Sequence, residues 1–125
     1  MVVFEHGPDN ISRMHVREPE EAGDPAAYLA GLDRIGSMTA PFGMIVDIAG
    51  HLHMSHEERK AQNLWFKATR AHMNATCKAA AIVRLEPTPE MQATFAGLWT
   101  FPVLVTGSVE AAETFVRSHL AETVQ

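Results

Sequence analysis

Several common chemistries are excluded by what this chain lacks. Its 125 residues contain one cysteine, Cys77, which rules out an internal disulfide and a cysteine-based zinc cluster. Ten Lys and Arg face 15 Asp and Glu, for a formal net charge of -5, and the cations are scattered along the chain. Such a surface has no basic field for nucleic acid or for an anionic membrane. No apolar run reaches the length that crosses a bilayer, and there is no internal repeat or low-complexity tract. No basic stretch followed by an apolar segment opens the chain, so the expectation is a reduced, cytoplasmic protein. A G-x-S-x-G elbow, a G-x-G-x-x-G turn, a P-loop and a catalytically spaced carboxylate pair are all missing. No cofactor is expected.

What is present is enough apolar material, 46% of residues, to build one core without staples, so residues 1–125 read as a single domain. Two short strand-like runs, Val2 to Glu5 and Ile11 to Val16, flank the turn-forming Gly7-Pro8-Asp9-Asn10 and predict a hairpin. Asp24-Pro25 predicts the cap and first turn of a helix with apolar face Tyr28, Leu29, Leu32 and Ile35, ending near Gly36. Pro41 and Gly43 then bracket the entry to a buried strand, Met44 to Gly50, whose one charge, Asp47, falls towards its carboxyl end. After this strand come His51-Leu52-His53-Met54 and the S-x-x-E capping box Ser55 to Glu58, which places a helix start.

The helix that follows should run to about Thr76. Ala61, Leu64, Trp65, Ala68, Ala71, His72 and Ala75 fall on one arc and are expected to face the core, with His72 hydrogen-bonded there. Phe66 and Met73 lie on an adjoining flank that the core does not claim. Loops could cover them, or they could form an oligomer interface or a ligand groove; a homodimer with Phe66 at its two-fold contact is one expectation. Ala79 to Leu85 reads as a strand, Thr88-Pro89 as a helix start with stripe Met91, Phe95, Leu98 and Trp99, and Phe101 to Thr106 as a strand. Gly107-Ser108 opens a last helix with core positions Ala112, Phe115, Val116 and Leu120. The order ββαβαβαβα predicts an α/β domain: a mixed, mostly parallel sheet of about five strands with four helices.

This order, the Asp-x-Ala-Gly segment closing the Met44 strand, the Ala80-Ala81-Ile82-Val83 strand and Phe101-Pro102-Val103-Leu104-Val105 before the Glu110-Ala111-Ala112 helix resemble SpoIIAA-like proteins. That group is related to STAS (anti-sigma factor antagonist) domains and to Sec14-type lipid-binding domains, and the likeness covers about residues 11 to 122. The resemblance implies a non-enzymatic regulatory or binding module with a protein partner. It also makes Ser55 the position matching a phosphorylated serine, with Asp47 on the strand before it. Anti-sigma factor antagonists carry Asp-Ser or Asp-Ser-Ser-Gly there, whereas this chain has Met54-Ser55-His56-Glu57. Capping alone also accounts for a serine at this place.

Two other readings compete. A small apolar ligand or lipid carrier of Sec14-like type would place its pocket between the sheet and the helices carrying Trp65, Phe66, Met73 and Trp99. A metal-dependent hydrolase would use His51, His53 and Asp47, since His51, His53 and His56 cluster in one loop and alternate residues of an extended loop point the same way. H-x-H-x-x-H is not a ligand spacing with strong precedent, so no native metal is expected. Cys77, near a helix end beside Lys78, gains little from the dipole and is expected to be structural.

Overall fold

In the computed structural model, which describes residues 1–124 and their side chains to residue 122, the elements follow the expected order. They are β1 (Val2–His6), β2 (Ile11–Val16), α1 (Asp24–Gly36), β3 (Phe42–Ile48), α2 (His56–Thr76), β4 (Cys77–Arg84), α3 (Pro89–Ala96), β5 (Val103–Thr106) and α4 (Val109–Val124). The strands lie side by side in chain order, β1 antiparallel to β2 and every later pair parallel. Asn10 takes φ 63° in the β1–β2 turn, a left-handed conformation that its short polar side chain tolerates.

Sequential parallel strands that always step the same way require crossovers of one hand, so the linking helices must share a face of the sheet. That is what is found. Leu32 and Ile35 of α1, Trp65 and Met73 of α2, and Phe95 near the end of α3 pack with Met14, Met44, Val46 and Ile82 on one side. The trailing α4 covers the other side with Ala112 and Val116 against Ile11, Ile45, Ala79 and Ala81. Gly43 is inside β3 rather than before it, and it has to be glycine: a Cβ there would overlap a Val116 methyl. Arg13 ties α4 to the hairpin, donating to Glu113 at 2.8 and 2.9 Å and to Asp9 at 2.8 Å. Those hydrogen bonds hold the Glu113 carboxyl below the usual carboxylate range.

Three details of the sequence reading change. Asp24 is not a cap: Gly23 occupies that position without a side-chain bond, and the buried Asp24 carboxylate accepts from the Met1 ammonium at 2.6 Å and from the Glu21 N–H at 2.8 Å. Leu98 and Trp99 lie past the end of α3, in the turn after Gly97, yet Trp99 is buried. The largest change is the rotation of α2. Met73 is fully buried, and Gln62, Trp65, Phe66, Thr69, His72 and Thr76 form the inward stripe with it. Ala61, Leu64, Ala68, Ala71 and Ala75 face outwards, Leu64 57% exposed. Bulk decides this: Trp, Phe and Met bury far more area than Ala, so the helix turns its large side chains inwards although the alanines are equally apolar by class. With Met73 in the core and Phe66 packed at 5.2 and 5.6 Å from the Trp65 and Trp99 rings, the flank expected to meet a second copy is filled from within the chain.

The capping box is formed as expected. Ser55 Oγ accepts from the Glu58 N–H at 3.2 Å and the Glu58 carboxylate accepts from the Ser55 N–H at 2.7 Å. Ser55→Ala should lower stability by about 1 kcal/mol through loss of this cap, measured by urea denaturation with an unchanged m-value.

Candidate functional site

The rule that ligands meet open α/β sheets at the carboxyl ends of their strands directs attention to the ends of β2, β3 and β4. The register there aligns Val16 with Ile48 and Ile48 with Arg84. Alternation along each strand puts these three on the same face as Met44, Val46 and Ile82, the face that α1, α2 and α3 cover. Above this row the helices leave a cavity of about 560 Å³, within the range of small-molecule sites. Its walls are the sheet residues Val46, Ile48 and Ile82, the aromatic residues Trp65, Phe66 and Trp99, and the loop from Gly50 to Met54. Ile48 is only half-buried where its neighbours Ile45 and Val46 are buried, because it faces this space.

The aromatic wall is built of rings packed on one another. Trp65 meets Phe66 edge-on, Phe66 tilts against Trp99, and Trp99 stacks on Phe101 at 5.1 Å. Rings in such arrangements hold one another in place and present a fixed apolar surface. Tyr28 also lines the cavity, and burial pushes its phenol up to about 12, so it is a neutral donor at physiological pH. Trp65 and Trp99 each keep a buried indole N–H without an acceptor among the described residues; that of Trp65 lies against Gly36, where a Cβ would stand 2.8 Å away.

The histidine loop forms the outer wall. His51 and His53 point the same way, their rings parallel within 8° and 6.1 Å apart. Each is held by a carboxylate of the segment after β2: His51 by Glu18, through ring Nδ1 at 2.6 Å and backbone N–H at 3.2 Å, and His53 by Glu20, at 2.8 and 3.0 Å. His56 starts α2 and is exposed. The loop is therefore strapped to residues 18–20 rather than arranged around an ion. Asp47 does not join it. Its side chain, 4% exposed, accepts from Arg17 at 2.8 Å and lies 3.5 Å from His15, and strand alternation turns it towards the α4 side of the sheet. Among the described residues no group of three His, Cys, Asp or Glu could hold a metal ion. The geometry thus keeps His51 and His53 together but separates Asp47 from them.

The other singled-out residues fall as follows. Ser55 is exposed but committed to the helix cap, with the Glu58 carboxylate on its own N–H. Met73 lies beneath the core and does not line the cavity, whereas Trp65, Phe66 and Trp99 do. His72 donates to the Met38 carbonyl as a packed histidine should. Cys77 is buried, its thiol pushed up to about 12 by burial, which removes the thiolate character a nucleophile needs. Arg84 was not singled out by the sequence, because a lone Arg at a strand end has no motif; only its register against Ile48 discloses the cavity as its neighbour.

Glu18 and Glu20 are held below the ordinary glutamate range, first by the His51 and His53 rings and then by the same residues' backbone N–H groups. A carboxyl whose folded value is depressed contributes fully above its free value, near ~4.3, and loses that contribution as pH falls through the folded value. Acidification to below the free glutamate range, through the depressed folded values, should therefore release the loop. The amide resonances of His51 and His53 should shift together with the Glu18 and Glu20 carboxyl carbons in that acidic range. Amides indifferent to it would show that other contacts hold the loop.

No family model, curated protein or solved structure matches this chain. No helix among the described residues is long and apolar enough to cross a membrane. The functional argument rests on the site.

Proposed function

We propose that this chain is a SpoIIAA-like, non-enzymatic ligand-binding module that encloses a small molecule with a substantial apolar body. The observation that carries this reading is the cavity itself: about 560 Å³, open at the strand ends, walled by apolar strand residues and a locked aromatic row. An apolar body entering it would remove its own surface and that of Val46, Ile48 and Phe66 from water, the dominant favourable term in such binding. Among the described lining residues there is no activated nucleophile, and the His51 and His53 rings are engaged by Glu18 and Glu20 at the outer wall of the cavity, which favours holding over conversion.

Native mass spectrometry of protein purified under mild conditions tests this, combined with solvent extraction and analysis of the extract. The expected result is a stoichiometric lipid-like or aromatic small molecule, lost on denaturation. Protein of bare polypeptide mass that also fails to bind an apolar fluorophore in competition with such molecules would overturn the reading.

A second reading, regulation through a protein partner, draws support from the exposed apolar line Ala61, Leu64, Ala68, Ala71 and Ala75 on α2. It is separable from the first because Leu64→Lys would alter that surface without touching the cavity.

A further inference from the structure

The cavity's electrostatics are at odds with those of the whole protein. Acids outnumber bases by 15 to 10 in the chain, yet among the described residues lining the cavity there is no Asp or Glu. The one permanently charged lining residue is Arg84, at the carboxyl end of β4 and half-buried in the floor between Ile48 and Ile82. The chain's other partly buried arginine near the sheet, Arg13, has two carboxylate partners, and Arg17 has Asp47. Arg84 has neither an ion-pair partner nor a hydrogen-bond partner among the described residues.

A guanidinium cannot lose its charge at any accessible pH, so burial leaves it two options: solvent or an anion. In an apolar wall both water and the effective dielectric are reduced, and an anion gains more from the charge there than at an open surface. The planar fork of the guanidinium matches the two oxygens of a carboxylate. The remaining polar lining side chains are Tyr28, Gln62, Asn63 and Thr94, together with His51 and His53 at the outer wall, whose ring Nδ1 atoms are already taken up by Glu18 and Glu20. A single permanent positive charge set in a mostly apolar cavity is complementary to a ligand with one negative group and an apolar remainder.

We infer that the ligand is an amphipathic monocarboxylate, fatty-acid-like in character, with its carboxylate on Arg84 and its tail along the aromatic wall formed by Trp65, Phe66 and Trp99. This rests on the reading of the cavity as a ligand site and adds the chemical class of the ligand and the residue that selects it. Arg84 is the specificity-determining residue, and the aromatic wall supplies affinity without distinguishing head groups.

The probes are decanoate and 1-decanol, which share a tail and differ in charge, titrated below their aggregation limits against the full chain. Trp65 and Trp99 line the cavity, so intrinsic fluorescence reports occupancy. Wild type should bind decanoate at least ten-fold more tightly than decanol. In Arg84→Gln the two should come within two-fold of each other with decanol affinity unchanged, and Arg84→Lys should restore most of the preference because the charge is kept. The thermal midpoint of Arg84→Gln should stay near that of wild type, since no protein partner is lost. Equal binding of the two probes to wild type, or a ten-fold preference surviving in Arg84→Gln, would overturn the assignment of Arg84 while leaving the cavity a ligand site. Failure of wild type to bind either probe would overturn the ligand-site reading and this inference with it. Should Arg84→Gln fail to fold, Arg84→Ala takes its place: the preference for decanoate should be lost there too, and a ten-fold preference surviving in that variant would overturn the assignment of Arg84.

Discussion

Met73→Ala should be strongly destabilising, costing about 2–5 kcal/mol as a fully buried side chain replaced by a methyl group in a packed interior. Met73 has no exposed surface and packs in the cluster that joins Trp65, Phe42, Cys77 and Phe101. A domain of this size has only about 5–15 kcal/mol of total stability, so the thermal midpoint should fall by on the order of 10 °C. Leu64→Ala in the same helix should change stability by no more than about 0.5 kcal/mol, since the residue is 57% exposed and Ala is at least as good a helix former. The pair measures the rotation of α2. A large loss at Leu64 and a small one at Met73 would place the alanine face inwards and reverse the packing described above. Phe66→Glu follows the same logic: it would insert a charge between two tryptophan rings, and it should unfold or open the domain rather than dissociate an oligomer.

Ile48→Trp should weaken ligand uptake while leaving the fold in place. The Ile48 side chain stands at the cavity floor, half-buried and facing open space, so a larger side chain can extend into the cavity instead of into packed core. This is the favourable case for enlargement; a Trp at fully buried Ile45 would have nowhere to go and would cost about 1–3 kcal/mol or more by overpacking. Each ligand methylene displaced forfeits about 0.8 kcal/mol, and loss of two or more exceeds the ~1.4 kcal/mol that corresponds to ten-fold in affinity. Binding of an apolar probe should therefore weaken by at least about ten-fold, with a thermal midpoint equal to or above that of wild type. Unchanged affinity would show that ligands bind elsewhere, and a collapse in stability would show the floor to be tightly packed.

The helix-sided sheet explains why such a cavity forms at all. Three crossovers of one hand place α1, α2 and α3 on a single face, and the short α3 of eight residues leaves the carboxyl ends of β3 and β4 uncovered on that face. The loop from Gly50 to Met54 closes part of the gap, and Glu18 and Glu20 hold it there. Position in the fold, strap and cavity are thus consequences of one another: the strand ends must be open for the loop to serve as a wall.

Element order, the buried central strand and the Ser55 cap were legible from local signals, because hydrophobic runs, prolines at first turns and a capping box each act within a few residues. Single-domain size and the sheet's largely parallel character followed from the same alternation of strand and helix. The inward face of α2 was not legible: an amphipathic pattern in which one apolar stripe is alanine and another is Trp, Phe and Met is ambiguous until neighbouring elements decide which volume must be filled. Nor could a sequence distance of 36 residues between Ile48 and Arg84 show that they are paired in register, or that Asp47, one position from Ile48, points to the opposite side of the sheet from the histidine loop. Those facts belong to strand pairing, where a shift of one residue exchanges the two faces. Local chemistry determined which elements form and where they begin; only tertiary packing decided which side chains surround the cavity and left Arg84 in it without a partner among the described residues.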